Sequence, residues 1–214
     1  MLKVGAVTVA VVVAGIGILF GVSTLQRAPE PAAEPGTATV LRADTRRLDV
    51  AADGRVTVVE FLDFECEACG AYFPLVEQLR EDYRGKVTFA YRYFPIPSHG
   101  NSTNAAVAVE AAARQGGLEP MYQRMFQTQA QWGEKGAQSQ APLFRTYAQE
   151  LGLDMARYDA DVASPKVLAR VQRDFREGQQ LGVDGTPTFF VNGRYLGTPA
   201  PEDLRKAIDD LLAS

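Results

Sequence analysis

Side chains that hold metals or attack substrates are scarce in this chain. Among its 214 residues there are two cysteines and a single histidine, His99. A zinc site ordinarily takes four N, S or O ligands, so these three would need carboxylates or a second subunit to close one, and no metal or other cofactor is expected. The formal net charge of -4 is mild and no basic stripe runs along the sequence, which argues against a nucleic-acid binder. No phosphate loop, dinucleotide fingerprint or Ser/His/Asp arrangement occurs. An apolar content of 46% with 22% charged residues excludes a disordered composition. The length suits one ordinary domain with an appendage.

What the chain does have is a pair of cysteines three positions apart, Cys66-Glu67-Ala68-Cys69. A disulfide stabilises chiefly by closing a long loop of the unfolded chain, and this ring is very short. Redox chemistry is the better reading of the pair.

From Val4 to Leu25 no residue is charged. Roughly 22 residues at about 1.5 Å each reach about 33 Å, enough to cross a hydrocarbon core of about 30 Å. A cleavable signal peptide would have a shorter apolar region and a small-residue cleavage site; Gly21-Val22-Ser23 is the place where cleavage could occur. No cysteine follows the span, so a lipoprotein anchor is excluded. Lys3 precedes the span, and Glu30 and Glu34 soon follow Arg27, which favours a cytoplasmic N-terminus. The expected organisation is a stub over 1–3, a transmembrane anchor over 4–25, a Pro/Ala-rich linker over 26–45 and an exported domain over 46–214. An extracytoplasmic setting also suits a cysteine pair that holds a disulfide.

Within the domain, Arg55 to Phe64 (RVTVVEFLDF) follows Asp53-Gly54 and reads as a buried strand. Ala71 to Tyr83 has helical spacing, with Phe73, Val76, Leu79 and Tyr83 on one face, and Lys86 to Phe94 reads as a second strand. Strand, helix, strand of these lengths predicts a right-handed crossover and a parallel pair. The middle is helical over Thr103–Gln115 with Ser102 or Thr103 as cap, then Glu119–Ala130, Pro142–Leu151, Asp154–Ala163 and Pro165–Leu181, the last capped by Ser164. Thr188–Val191, the turn Asn192-Gly193 and Arg194–Leu196 form a hairpin, and Pro201–Leu212 closes the chain as a helix. The order is β-α-β, a helical block over about 101–181, then β-β-α.

The cysteines follow a buried strand and open a helix. A helix N-terminus offers free N–H groups and a positive dipole end, so Cys66 should be the low-pKa attacking thiol. Cys69, one turn inside, would resolve the mixed disulfide. Glu60 falls within the most apolar run of the chain; a carboxyl there would be buried, raised in pKa and able to relay a proton for Cys69. Thr186-Pro187 precedes the late strand, where a cis proline could present backbone to a bound peptide. His99 reads as a solvated loop residue.

VVEFLDFECEAC, RYFPIPSHGNS and GVDGTPTFFVNG, with the helical block between them, make the chain resemble the DsbA-like family of thioredoxin-fold oxidoreductases, its membrane-anchored, BdbD-like members in particular, from about Leu48 onward. The resemblance implies an α/β thioredoxin fold with a helical domain inserted between its β-α-β and β-β-α halves, here preceded by a transmembrane helix. It implies that Cys66 is the nucleophile, Cys69 the resolving thiol, Glu60 a buried acid and Pro187 cis. It further implies reduced exported proteins as substrates and reoxidation by a quinone-linked membrane partner of DsbB or vitamin-K-epoxide-reductase type. Strong oxidants of the family commonly carry Pro with a small or basic residue between the cysteines. Glu67-Ala68 departs from that, and with Glu65 beside it should raise the Cys66 pKa relative to those oxidants and make the disulfide milder. A reductase or isomerase of the same fold, or a tethered binding or chaperone module, are the competing readings.

Overall fold

A computed structural model describes residues 38–134, 136 and 138–214. The expected anchor over 4–25 and the linker as far as residue 37 lie outside the described residues. Among those described, no helix is long and apolar enough to cross a membrane.

Asp53-Gly54 makes the turn into the central strand: Gly54 takes a positive φ of 64°, and the Arg55 N–H donates to Asp53 Oδ1 at 3.0 Å. Strand β1 (Arg46–Arg47) precedes it, followed by β2 (Val56–Leu62), helix α1 (Glu67–Asp82) and β3 (Val87–Tyr93). The pair β2/β3 is parallel, as the crossover predicts. Then come the inserted helices α2 (Ser102–Ala113), α3 (Leu118–Gln127), α4 (Gln129–Trp132), α5 (Ala141–Glu150), α6 (Met155–Val162) and α7 (Pro165–Gln180). The hairpin β4 (Thr188–Val191)/β5 (Arg194–Gly197) and helix α8 (Pro201–Leu212) complete the chain. The five strands lie in the order β1-β3-β2-β4-β5. Asn192 and Gly193 take positive φ at the hairpin, as a primed two-residue turn requires.

Alternation along the strands sorts the core. Val56, Val58, Val87 and Phe89 pack with α1 and α8, through Val76, Leu79, Leu204 and Ile208. Further along that face, Leu62, Tyr91 and Tyr93 meet the insertion through Ala105, Val109, Tyr122 and Met125. On the opposite face Val59, Phe61 and Ala90 pack with Phe94, Val183 and Phe175 of α7. Gly178 lets α7 approach closely, since a Cβ there would stand 2.8 Å from the Phe94 ring and 2.9 Å from Phe61.

Four expectations are corrected. The linker does not run to residue 45: Val40 and Leu41 pack on the core and Arg42 pairs with Asp174 and Glu177, so residues 38–45 belong to the fold. Strand β1, two residues of arginine, carries no apolar pattern and was not foreseen; it pairs antiparallel with β3. Neither Ser102 nor Thr103 caps α2. Asn101 stands at that position, and its side chain bonds Gln138 and Gln140 instead. The helix expected over Glu119–Ala130 breaks at Thr128, whose hydroxyl donates back to the Arg124 carbonyl at 2.7 Å and competes with the helical ladder.

Candidate active site

Glu60 lies on the middle strand, opposite Tyr91 of β3 and Phe189 of β4, and is 5% exposed. Burial first, and the nearby Cys66 second, push its carboxyl up to about 8. The chain leaves β2 through Asp63-Phe64-Glu65 and enters α1 with Cys66 as N-cap residue in an extended conformation. Its N–H donates to the Asp63 carbonyl at 3.2 Å.

Cys66 is half-buried and Cys69 fully buried, both as free thiols. The Cys69 thiol donates to the Cys66 sulfur, and this bond does most to lower the Cys66 pKa. The Thr186 side chain and the N–H groups of Cys69 and Ala68 add to it, and against the cost of burial they bring Cys66 down to about 5. Cys69 goes the other way. Burial is the main cause, and the interactions with Cys66 and Glu60 push its thiol up further. The Asp63 N–H, 3.5 Å from Cys69 Sγ, opposes them.

Thr186-Pro187 is a cis peptide. The Thr186 carbonyl stands 3.4 Å from Cys66 Sγ, so the segment lies against the half-buried sulfur. The Thr186 hydroxyl is buried and has no hydrogen-bond partner among the described residues. The Pro187 carbonyl is taken by the Thr198 hydroxyl at 2.6 Å. All five residues singled out in the sequence, Glu60, Cys66, Cys69, Thr186 and Pro187, therefore converge on one turn between β2, α1 and β4.

Glu65 and His99 are placed differently from the sequence reading, which set Glu65 on a par with Glu67 and left His99 in solvent. Glu65 is buried and accepts the Asn101 N–H at 2.5 Å, while Glu67 is exposed beside Glu134. Neither carboxylate is among the leading influences on Cys66. His99 is not simply solvated; its Nδ1 lies 2.7 Å from Asp63 Oδ2.

Sequence reasoning missed Asp63 and Gln129. The Asp63 carboxylate is buried and accepts the N–H groups of Glu65 and Ile96, both at 2.9 Å, as well as facing His99. Burial pushes it up to about 6 against those hydrogen bonds. An acid directly after a buried strand was the available signal. Gln129, on the insertion, reaches the carbonyls of Phe64 and Cys66, and no local pattern marks it.

The profile of the Thioredoxin family matches residues 51–210. Among solved structures, a thioredoxin-like oxidoreductase from Silicibacter pomeroyi is 28% identical, with 83% of this chain and 97% of that one covered and a TM-score of 0.66. Oxidised BdbD from Bacillus subtilis is 19% identical, covers 83% and 98% of the two chains and gives a TM-score of 0.70, a likeness of fold. The Na(+)/H(+) antiporter NhaA 1 of Mycobacterium sp. (strain KMS) is 32% identical over 183 residues, which are 82% of this chain. The match spans only 28% of that protein's length, so it concerns one part of a longer chain.

Proposed function

The chain belongs to the thioredoxin family, and from that premise we propose that it is a DsbA-like thiol–disulfide oxidoreductase that introduces disulfides into exported proteins through Cys66 and Cys69, held at the membrane by its N-terminal segment. The observation that carries the direction is the opposition of the two sulfurs: Cys66 held down to about 5 while Cys69 is buried and raised. A stabilised thiolate makes the reduced form the comfortable one, so the disulfide form oxidises readily. The extracytoplasmic setting rests on the uncharged run Val4–Leu25 and the Pro-rich segment after it.

In the proposed cycle the enzyme starts as the Cys66–Cys69 disulfide. A substrate thiolate attacks Cys66 Sγ, a mixed disulfide forms, and Cys69 leaves as a thiolate beside the Asp63 N–H. Glu60, protonated below about 8, supplies the proton. A second substrate thiolate attacks the substrate sulfur of the mixed disulfide and expels Cys66, whose low pKa makes it the better leaving group. Two substrate thiols have become a disulfide, and two electrons reside on the enzyme dithiol. A quinone-linked membrane partner of DsbB or vitamin-K-epoxide-reductase type removes them. Thr186 and Pro187 present main chain beside Cys66, where an extended substrate segment would lie.

The deciding measurement is the Cys66–Cys69 equilibrium with glutathione, paired with the resting redox state in cells. The expected potential is less reducing than about −200 mV, in the range of oxidants and isomerases, with the protein resting oxidised. A potential near the thioredoxin value of about −270 mV with a resting dithiol would make it a reductase. Full function in a variant with both cysteines changed to serine would make it a binding module.

A further inference from the structure

Gln129 opens α4 in the helical insertion, yet its side chain ends on the turn that carries the thiols. Nε2 donates to the Phe64 carbonyl at 2.7 Å and to the Cys66 carbonyl at 2.9 Å. Both hydrogens of one amide nitrogen are thus used, on carbonyls that bracket Glu65-Cys66. The Cys66 carbonyl also accepts the Gly70 N–H at 3.1 Å, so the amide reinforces the first turn of α1 from outside.

Residue 70 is built for this contact. A Cβ on Gly70 would overlap Gln129 Oε1 and stand 2.9 Å from Cδ. Gly70 lies inside α1 with an ordinary negative φ, so its backbone does not call for glycine, and in a helix glycine costs about 0.5–1 kcal/mol relative to alanine. The space over its Cα does call for it. The break at Thr128 completes the arrangement, because it ends α3 and restarts the chain with Gln129 facing the turn.

We propose that Gln129 is a positioning residue for the thiol pair: its amide pins the main chain on either side of Glu65-Cys66 and so holds the Cys66 sulfur over the first N–H groups of α1, making the helical insertion part of the redox site. The proposal rests on the redox reading of Cys66 and Cys69. Without the amide the turn relaxes, the sulfur drifts from the Ala68 and Cys69 N–H groups, and the thiolate loses stabilisation.

The test is a double-mutant cycle on the reduced full-length chain, with Gln129→Ala, Gly70→Ala and both together, reading the Cys66 titration by thiolate ultraviolet absorbance, and Tm. Each single variant is expected to raise the Cys66 midpoint by roughly half a pH unit, about threefold in thiolate at acid pH, and the double variant by no more than either. Gly70→Ala should raise Tm only where residue 129 is already alanine. An unmoved Cys66 midpoint in Gln129→Ala, or shifts that simply add, overturns the clamp. If Gln129→Ala does not fold, Gln129→Asn, too short to reach both carbonyls, takes its place with the same expected shift. A wild-type chain that exchanges no disulfides overturns the redox reading itself; an active wild type with an indifferent Gln129 overturns the clamp alone.

Discussion

Asp174 and Glu60 are both carboxylates sealed inside this domain, and they approach the sheet from opposite faces. Asp174, on α7, accepts from Arg42 Nη2 at 2.5 Å and from Arg92 Nε and Nη2 at 3.0 and 2.9 Å. Arg92 also bonds Glu177 and the Thr39 carbonyl. Glu60 stands across the sheet from Tyr91 and Phe189 and near Cys66, and has no ion pair with any described residue. The first arrangement joins the segment 38–47 to α7 and β3. The second leaves an acid whose proton is held by burial first and by the neighbouring Cys66 second, and such unpaired, perturbed acids cluster at sites of chemistry. Pairing separates a structural buried charge from a working one.

The comparison breaks most visibly if Asp174 is removed. Asp174→Ala leaves Arg92, fully buried, without its main partner, and breaking a buried ion pair in this way costs about 3–5 kcal/mol. Urea denaturation should show that loss, while disulfide exchange by the folded fraction stays normal. A change of exchange rate out of proportion to the folded fraction would mean that the cluster reaches the thiols.

Glu60→Gln should do the reverse. An acid raised from 4.5 to about 8 keeps its proton in the native state across that window while the unfolded chain has lost it. Below pH 4.5 both states are protonated and the shift adds no ionisation cost; as pH rises through the window the native state loses stability, and above about 8 that cost is complete, on the order of a few kcal/mol. Glu60→Gln should therefore match the wild type in acid and exceed it above about pH 8. Its release of Cys69 from the disulfide should slow, by about 10²-fold, since the proton relay is gone. A stability difference that stays flat with pH would show that Glu60 is not the unpaired acid described.

Cys66 gives an effect of opposite slope, and a smaller one than its shift alone suggests, because the half-buried sulfur is partly screened by water. Lowered from 9.0 to about 5, it is thiolate in the native reduced state and thiol in the unfolded chain across that window, so its contribution to stability is absent below pH 5 and grows until pH 9. The disulfide form has no such group. Unfolding both redox forms in parallel should show the reduced form gaining on the oxidised form as pH rises between these limits.

Legibility in the sequence followed the range of the interactions. Glu60, Cys66 and Cys69 could be found because an apolar period-two run, a spacing of three and a helix start are local patterns, and Pro201–Leu212 was bounded correctly for the same reason. Thr186-Pro187 was found from its place before a strand. Strand β1 escaped because its two arginines are held by pairing with β3 and by partners such as Glu110, 64 residues on from Arg46. Gln129 escaped because its partners lie 63 and 65 residues back and are main-chain carbonyls, which leave no trace in residue type. Glu65 and Glu67 were read alike, since two acids flanking a cysteine look equivalent until one is turned inward onto the Asn101 N–H.

That last pair supplies the smallest effect. Glu67 is fully exposed at the start of α1, and its carboxyl is raised by Glu134 facing it. An exposed charge acts on Cys66 through solvent, and at about 1 M salt the screening length falls to about 3 Å. Glu67→Gln should therefore lower the Cys66 midpoint slightly at low ionic strength and make the disulfide somewhat more oxidising, and both shifts should vanish at high salt. Glu65→Gln, by contrast, should act through the Asn101 contact and be indifferent to salt. If Glu67→Gln shifted Cys66 equally at low and high salt, the carboxylate would be acting through protein rather than water, and the inner pair Glu67-Ala68 would make this disulfide milder after all.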